Sequence, residues 1–464
     1  MRRRVELTLV LPCFALAATM AAAQTPESTA KPAWLDAYRD PAARLIGEAV
    51  SSTFAWDRLS VLTDTIGNRL SGTPALERAI QWAAAEMKKD GLENVHTERV
   101  MVPKWVRGNE SADIVEPARH PMAMLGLGDS VGTGADAIQA EVLVVRTFDE
   151  LDAKAASARG RIVLFNVPFT NYGETVRFRA TGPSRAARHG AVAALVRAVG
   201  PPGLRTPHTG ALQYASGVAK IPAAAIAVED ADRLQRMADR GNRIVVRLKM
   251  EAHFDADAES ANVVGEIRGR ERPEEVVVVS GHLDSWDVGA GATDDGGGCV
   301  VTWEALRIMK KMNLRPRRTV RVVLWTNEEN GGRGGVAYRD QHRAELANHV
   351  MMLESDSGVF RPLGFGLTGN DAARHTVTAI ATLLTALGAD QISPGGGGAD
   401  IGPSMQEARM PGMSLEVDGS KYFLIHHTAA DTIDKIDPVD MAKCAAAVAV
   451  MAYVIADLPQ RLGE

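Results

Sequence analysis

The sequence predicts an α/β protein whose main part is a three-layer α/β/α sandwich around a mainly parallel central sheet. Beyond Ala261, short apolar runs alternate with helical patterns, and this alternation indicates a parallel sheet covered by helices on both faces. The four consecutive valines Val276–Val279 are typical of a strand that is buried on both sides. Polar residues follow directly in Ser280–Cys299, and open α/β sheets place their sites just beyond the carboxyl ends of such strands.

The composition is that of an ordinary globular protein. With 464 residues, of which 46% are hydrophobic and 23% are charged, the chain can bury one large core or form two to three domains. The formal net charge is −5 and no stripe of lysines and arginines stands out, so nucleic acid is not an expected partner. Small molecules or short peptides are the expected ligands.

The first 23 residues have the three-part pattern of a cleavable secretory signal. Three arginines follow the initial methionine, an apolar run covers Leu7–Ala18, and Ala21–Ala23 precede Gln24. A membrane anchor is the alternative, but the apolar run is short for a span and contains Pro12. We therefore expect a secreted or periplasmic protein that begins near Gln24 and has no later segment able to span a membrane.

Two of the three cysteines, Cys299 and Cys444, lie outside this signal. Each is in a small, apolar helical context, where a free thiol behaves as a small hydrophobic residue. We expect two buried free thiols, so the fold should not depend on a disulfide.

Segment 34–120 is expected to be the amino-terminal part of the main domain. Apolar residues at helical spacing predict two helical patterns, the first of which runs from Ala42–Thr53 into Ala55–Ile66, and an alternating pattern predicts a strand after the second. These elements are, in order, Ala42–Thr53, Ala55–Ile66, Thr73–Asp90 and Asn94–Val102. They would form one edge of the α/β domain.

Segment 121–255 has a different texture, with short β runs between small helices and loops that contain glycine and proline. The runs are Ala140–Arg146, Arg161–Val167, Ala191–Arg197, Ala223–Val228 and Arg243–Glu251. Its histidines are scattered rather than clustered with other metal-type ligands. We expect an inserted, β-rich α+β domain that shapes access to the site.

Segment 256–464 carries the alternation described above and is expected to hold the chemistry. Its predicted strands are Val276–Ser280, Val320–Trp325 and Val350–Glu354. Its predicted helices are Val300–Met312, Arg333–Asn348, Ala372–Leu387 and Met441–Asp457.

Histidines and carboxylates occur at four places in the strand ends and loops of this segment. They are His282, Asp284 and Asp294, then Glu328 and Glu329, then Asp356, and finally His426 and His427. Two histidines and three carboxylates can hold two zinc ions if one carboxylate bridges them. Two metals about 3.5–4 Å apart can hold a hydroxide for hydrolysis. A free carboxylate beside it is needed to move protons, and of two adjacent glutamates one can bind metal while the other acts as base.

These residues lie in motifs that resemble those of the M28 zinc exopeptidases and, within that family, of its carboxypeptidase Q group. The matching segments, in the family's order over residues 281–438, are GHLDSWDVGAGATDDGGG, LWTNEENGGRGG, LESDSG and YFLIHHTAADTIDKIDP. The resemblance extends more loosely to the amino-terminal segment and to the insertion, which is similar to a protease-associated domain. It implies a zinc exopeptidase fold for the main domain, and it suggests a homodimer.

The resemblance implies two zinc ions and a ligand for each position. His282 and Asp356 would hold one ion. Glu329 and His427 would hold the other, and Asp294 would bridge the two. In the family the peptide after the bridging aspartate is often cis. Cobalt or manganese could occupy the same nitrogen and oxygen ligands.

The resemblance also implies the catalytic roles. Glu328 would take a proton from the bridging water and return it to the leaving amine. Asp284 would accept a hydrogen bond from the other nitrogen of His282 and fix its tautomer. His427 would be the ligand because it begins the motif H-T-x-x-D-T. His426 takes a place where some relatives carry a tyrosine, so it would donate to the oxyanion, with packing as its alternative role.

We therefore expect a secreted or periplasmic di-zinc metallo-exopeptidase that acts on short peptides, with dipeptides as the expected substrates. The alternative enzyme is an aminopeptidase on longer peptides, which the ligand set does not distinguish. A non-catalytic binding ectodomain would have lost metal ligands, whereas every ligand and Glu328 are present here. Glutamine cyclisation on the same scaffold uses one metal. Asp400 and Tyr422 are further residues for which contact with substrate and an ordinary loop position are both open.

Overall fold

The computed structural model describes residues 32–464, so the predicted secretory signal at 1–23 lies outside the described residues. The strands are β1 Glu93–Val102, β2 Trp105–Val106, β3 Glu110–Glu116, β4 His120–Pro121, β5 Met124–Gly126, β6 Ile138–Val145, β7 Ile162–Phe165, β8 Ala193–Arg197, β9 Ala223–Ile226, β10 Val245–Met250, β11 His253–Phe254, β12 Ala258–Ile267, β13 Arg272–His282, β14 Arg318–Trp325, β15 His349–Glu354, β16 Pro362–Thr368, β17 Gln391–Pro394 and β18 Gly412–Val417.

The α-helices are α1 Arg39–Ser51, α2 Phe54–Ser60, α3 Pro74–Lys89, α4 Phe148–Ala153, α5 Ala155–Ala158, α6 Tyr172–Ala180, α7 Gly182–Arg188, α8 Val228–Asp239, α9 Gly297–Lys311, α10 Arg333–Gln341, α11 Asp371–Ala381, α12 Gly402–Ala408, α13 Tyr422–Ile425 and α14 Pro438–Asp457. Short 3₁₀ or π turns cover Ala33–Tyr38, Val61–Ile66, Ala292–Gly296, Leu346–Asn348, Thr382–Leu387, Gly419–Lys421 and Ile433–Lys435. Every helix and strand predicted from the sequence overlaps an element of the same type.

Eight strands form the first sheet, in the order β1-β12-β14-β13-β15-β18-β16-β17. The strands β14, β13, β15 and β18 are parallel neighbours, and β16 is parallel to β17. The other three neighbouring pairs are antiparallel. The sheet is therefore mixed, with its parallel pairing concentrated at the centre. Each antiparallel pair involves β12 or β16, strands that the sequence patterns did not predict.

Both faces of the first sheet are covered by apolar side chains. Val277 and Val279 of β13 join a large core with helices α1, α2, α3, α9, α11 and α14. Val276 and Val278 point to the opposite face, where they join a smaller core with residues of α10 and α12. The four valines are buried on both sides, as the sequence predicts.

Helix α14 lies in the larger core. It is 20 residues long with a mean hydropathy of 1.8, so its length and composition would suffice to cross a membrane. The expectation that no segment after the signal is long and apolar enough to cross a membrane is therefore wrong. However, 83% of its apolar stretch is buried inside the protein, as in the core helix of a globular domain. Cys444 of α14 and Cys299 of α9 are buried free thiols, which confirms that prediction.

Eight further strands form a second sheet, in the order β4-β3-β10-β6-β7-β8-β9-β5. They lie between Glu110 and Met250 together with helices α4–α8, and separate apolar cores cover the two faces. Strand β3 falls within segment 34–120 and β4 crosses its end, yet both pair in this sheet. Strand β2 lies where the chain leaves the first sheet after β1, and β11 lies where the chain returns to it before β12. These two short strands pair with each other.

Candidate metal centre

Glycines let three chain segments meet beyond the carboxyl end of β13. A Cβ added at Gly281 would overlap the Asp295 side chain, and one at Gly298 would overlap the carbonyl oxygen of Ser355. The backbone amides of His282 and Gly298 donate to the Asp295 carboxylate at 3.0 and 3.1 Å. The end of β13, the start of α9 and the loop after β15 are therefore held in close contact.

His282 lies between two carboxylates at this junction. Its Nε2 is 3.1 Å from Asp294 Oδ1 and 3.4 Å from Asp356 Oδ1. His282 is 1% exposed and Asp294 is 5% exposed. The peptide between Asp294 and Asp295 is cis, as the sequence motifs led us to expect.

His427 makes the matching contacts with the other oxygen of Asp294. Its Nε2 is 3.2 Å from Asp294 Oδ2 and 3.1 Å from Glu329 Oε2. Its Nδ1 is 3.3 Å from the carbonyl oxygen of Thr209, which lies between β8 and β9 of the second sheet. The orientation of this ring therefore depends on a residue outside the first sheet.

These separations fit two zinc ions that share Asp294. Two donors bound at about 2.0–2.1 Å to one tetrahedral zinc lie about 3.3 Å from each other, and the four distances are 3.1–3.4 Å. Within residues 32–464, Asp294 Oδ2, Glu329 Oε1 and Asp356 Oδ1 are buried without a hydrogen-bond partner. Buried polar atoms are seldom left without a hydrogen-bond partner, and bound cations would satisfy these three oxygens. The structure brings all five predicted ligands together.

Asp295 also lies within ligand distance of His282 and Asp356. Both of its carboxylate oxygens already accept backbone N–H groups, as described above. This makes Asp295 a support for the end of β13 rather than a free ligand.

His426 lies beside the metal centre but contacts fewer of its donors than His427 does. Its Nε2 is 3.5 Å from Asp294 Oδ2, and its ring stacks on that of His427 with centroids 3.5 Å apart. Its Nδ1 has no hydrogen-bond partner in the described part of the chain. Burial, followed by the neighbouring His427, lowers the pKa of His426 well below its ordinary value. This placement is compatible with both roles considered for His426, oxyanion donor and packing residue.

Asp284 orients His282 through its main chain rather than through its carboxylate. The Nδ1 of His282 is 2.9 Å from the Asp284 carbonyl oxygen, whereas the nearer carboxylate oxygen is 3.9 Å away. The Asp284 carboxylate instead accepts the backbone N–H groups of Glu328 and Glu329, at 3.0 and 3.3 Å. Asp284 therefore accepts the expected hydrogen bond through its carbonyl oxygen, while its carboxylate holds the turn after β14.

The two adjacent glutamates differ in exposure. Glu329 is buried beside His427, whereas Glu328 is half-buried and lines the cavity over the site. Burial raises the pKa of Glu328 well above its ordinary value, and the charges of Asp356 and Glu329 raise it further. Burial also raises the pKa of Glu329 to about 7 and raises that of Asp356. Because several carboxylates are buried side by side, ionising all of them costs free energy. Cations bound among them would remove this cost.

Two buried residues without a predicted role of their own hold the loop that carries Asp294. Arg69 is 0% exposed and donates to three carbonyl oxygens in segment 283–291. Asp431 accepts the backbone N–H groups of Thr293 and Asp294 at 2.7 and 3.1 Å. Asp431 could have been found from the motif H-T-x-x-D-T, but nothing in the sequence singles out Arg69.

A cavity of about 540 Å³ opens over the metal centre, and its walls come from both sheets. The first sheet and the loops after it contribute Asp294, Glu328, Glu329, Asp356, Ser357, Ser414, Leu415, Glu416, Val417, Gly419, Tyr422, Phe423, His426 and His427. Helix α6 contributes Tyr172 and Arg179, which the sequence did not indicate. Asp400 is 1% exposed and does not line the cavity, so a contact with a substrate amine there is not supported.

The chain is similar in sequence and in fold to known peptidases. Residues 262–452 match the sequence profile of peptidase family M28. The chain is 48% identical over 428 residues to Carboxypeptidase Q of Mus musculus, covering 92% of this chain and 91% of that protein. A crystal structure of a peptidase M28 precursor from Shewanella amazonensis SB2B has a TM-score of 0.87 at 34% identity, covering 92% of this chain and 98% of that chain. The zinc aminopeptidase BSAP of Bacillus subtilis shares the fold, with a TM-score of 0.66 at 19% identity over 88% of this chain and 96% of that chain.

Proposed function

This chain belongs to peptidase family M28, and on that premise we propose that it is a di-zinc exopeptidase that hydrolyses short peptides, chiefly dipeptides. The observation that carries the proposal is the position of Asp294, whose two oxygens face His282 on one side and His427 on the other, at 3.1 and 3.2 Å. Asp356 would complete the first zinc site and Glu329 the second.

The chemistry expected of the bound zinc ions is to polarise the scissile carbonyl and to lower the pKa of the attacking water. Glu328 takes the proton from that water and returns it to the leaving amine. The Asp284 carboxylate fixes the backbone of Glu328, so the base stays beside the cavity.

Two main-chain carbonyls set the direction of the ligand histidines. The Asp284 carbonyl accepts from Nδ1 of His282, and the Thr209 carbonyl accepts from Nδ1 of His427. Because Nδ1 carries the proton of the neutral ring in each contact, Nε2 is unprotonated. Nε2 faces Asp294 and is therefore available to a metal. His426 would add a hydrogen-bond donor for the oxyanion at the same edge of the cavity.

We assign the first sheet and the cores on its two faces to a three-layer α/β/α peptidase domain. The second sheet would be an inserted, protease-associated-like domain that shapes access, a division supported by its separate cores and by the β2–β11 pair at the two crossings. The pattern at residues 1–23 supports export of the protein to the periplasm or the medium. A homodimer remains part of the proposal.

The test is a panel of dipeptides that are free, amino-blocked or carboxyl-blocked, assayed with zinc and with a chelator. We expect cleavage of free dipeptides that stops on chelation and returns with zinc. Activity that survives complete metal removal would reject the mechanism. Rapid cleavage of longer peptides from the amino end, with poor cleavage of dipeptides, would instead identify an aminopeptidase.

Replacing Glu328 by glutamine tests the proposed base. Glu328→Gln keeps the shape of the side chain but cannot take a proton, so turnover should fall by about 100- to 10,000-fold. Zinc content, measured by metal analysis, should stay at the wild-type value. A folded Glu328→Gln protein that works at full rate would contradict the assignment.

A further inference from the structure

We propose that Glu416, on strand β18, makes this enzyme select substrates with a positively charged side chain, lysine or arginine, on the residue whose carbonyl is attacked. The inference rests on the proposed peptidase function and adds a side-chain preference to it. Glu416 is half-buried and lines the cavity over the metal centre. A carboxylate on a cavity wall favours a cationic group of the substrate and repels an anionic one.

The charge of Glu416 is unpaired in the part of the chain that the structure describes. Its Oε1 accepts a hydrogen bond from the Ser393 hydroxyl at 2.5 Å, and its carboxylate forms no ion pair there with a lysine, arginine or histidine. Arg179 is the one arginine or lysine among the described residues that line the cavity, and it donates to Thr209 and Tyr172 instead. A cationic group of a substrate would therefore meet a carboxylate that has no other partner of opposite charge.

Two glycines of β16 leave room for the Glu416 carboxylate. The register pairs Gly364 with Glu416 and Gly366 with Ser414. A Cβ on Gly366 would lie 2.9 Å from Glu416 Oε1 and 2.6 Å from the Ser414 hydroxyl oxygen. The carboxylate therefore lies over β16, and the Ser414 hydroxyl, which also belongs to the cavity wall, lies beside it. An ammonium group has three N–H donors and can bond to both oxygens at once.

The distance from the metal centre suits a long side chain. Strand β18 lies between β16 and β15, whose end leads to the proposed ligand Asp356. Neighbouring strands are about 4.7–4.9 Å apart, so a group over β16 lies roughly 9–10 Å from β15. The α-amino group of a dipeptide is next to the scissile carbonyl and is too close to the metal ligands to reach that point. A lysine or arginine side chain carries its charge at the end of a long stem and can reach it.

The strand order indicates on which side of the scissile bond this side chain lies. Glu328 follows β14, and the order β14-β13-β15-β18 places Glu328 and Glu416 on opposite sides of His282, the last residue of β13. In the proposed mechanism Glu328 returns a proton to the leaving amine, so the amine lies on the β14 side. The residue that supplies the carbonyl then extends toward β18. Glu416 therefore acts on the residue before the scissile bond.

The alternative is that Glu416 only ties β18 to β17 through Ser393. The two roles separate when lysyl-alanine is compared with norleucyl-alanine. These dipeptides share the scissile bond, both termini and the carbon stem of the side chain, and they differ in the side-chain ammonium. The ratio of their kcat/KM values does not depend on the fraction of enzyme that holds zinc. The wild type should prefer lysyl-alanine by about 10-fold.

The experiment measures that ratio in Glu416→Gln, Ser393→Ala and Glu407→Gln, with zinc content determined for each protein. Glu416→Gln keeps the shape of the side chain and an acceptor for Ser393, so lysyl-alanine should lose about 10-fold in kcat/KM while norleucyl-alanine changes by less than about threefold. Ser393→Ala keeps the charge but frees the carboxylate, so the preference should fall by about threefold. Glu407 is an exposed glutamate of α12, and Glu407→Gln, the matched control, should behave as the wild type.

A second pair of dipeptides tests the side of the bond. In alanyl-lysine and alanyl-norleucine the varied residue follows the scissile bond, so the ratio of their kcat/KM values should be the same in the wild type and in Glu416→Gln. A change in this second ratio, with the first ratio unchanged, would overturn the assignment of Glu416 to the residue before the bond.

Equal losses for lysyl-alanine and norleucyl-alanine in Glu416→Gln would overturn the proposal and leave a structural role or a contact with the α-amino group. Equal cleavage of the two dipeptides by the wild type would also overturn it, and that measurement needs no variant. If Glu416→Gln does not fold, Ser393→Ala decides, since an unchanged preference there would contradict the proposal. Failure of the wild type to cleave any dipeptide would refute the proposed function itself, which is a different result.

Discussion

Substitution of His349 by glutamine should remove part of the acid sensitivity of the fold. His349 is 2% exposed and lies at the start of β15, in contact with Tyr338 of helix α10. Its Nε2 is 2.8 Å from the Tyr338 hydroxyl, which accepts a hydrogen bond from Arg321, and its Nδ1 is 3.1 Å from the Glu345 carbonyl oxygen. The neutral ring fits these partners as an acceptor at Nε2 and a donor at Nδ1. A proton on Nε2 would break the contact with Tyr338 and add positive charge near Arg321.

The size of the stability loss at acid pH follows from the pKa of His349, which burial lowers to about 4 from the ordinary value. An unfolded histidine has a pKa of about 6.5, so between these values the unfolded chain binds more protons than the folded one. Stability must therefore fall as the pH decreases through this window. The contribution of His349 to this loss is about 2 kcal/mol at pH 5 relative to pH 8, and about 3 kcal/mol below pH 4.

The assay is urea unfolding followed by tryptophan fluorescence at several pH values between 8 and 5. His349→Gln should be less stable than the wild type at pH 8, because it loses a buried hydrogen bond. Between pH 8 and pH 5, the free energy of unfolding of His349→Gln should fall by about 2 kcal/mol less than that of the wild type. Protonation of the proposed metal ligands occurs in both proteins and cancels in this difference. His375→Gln, at an exposed position of α11, is the control. Parallel stability curves for wild type and His349→Gln would refute the reasoning.

Two further substitutions test the site and the way it is built. His426→Ala should lower turnover by about 100- to 1,000-fold while zinc content stays near that of the wild type; loss of zinc with unchanged turnover per bound metal would make His426 a ligand instead. Gly298→Ala should cost about 1–3 kcal/mol in the free energy of unfolding, since a Cβ there would overlap the Ser355 carbonyl. Its control is Gly47→Ala in α1, where a Cβ meets nothing within 4 Å and should stabilise by about 0.4–1 kcal/mol. Equal stabilities of the two variants in urea unfolding would show that the close contact at Gly298 is not needed.

The residues of the candidate metal centre could be proposed from the sequence because they lie in short motifs of histidines and carboxylates. His282 and Glu328 lie at or just after the ends of apolar runs that are long enough to be recognised as strands, and the ends of parallel strands meet at one edge of a sheet. Asp294 lies in the turn that leads from the first of these strands into α9. The structure accordingly gathers them with Asp356 and His427 around one point.

Features that depend on packing between distant segments could not be predicted. The contact of Asp284 with His282 passes through a carbonyl, which every residue possesses, so the sequence carries no signal for it. Arg179 lies on a small helix of a different sheet from the site it contacts. Strand β16, with the sequence PLGFGLT, begins with proline and contains two glycines, so its apolar pattern is too weak to indicate a strand.

The hydrogen bond from His427 to Thr209 joins a proposed metal ligand to the part of the chain that carries the second sheet, which also forms a wall of the cavity. The segment that limits the space for a peptide therefore also sets the direction of an imidazole at the floor of the cavity. A substitution that displaced the Thr209 carbonyl should change zinc content as well as the choice of peptide.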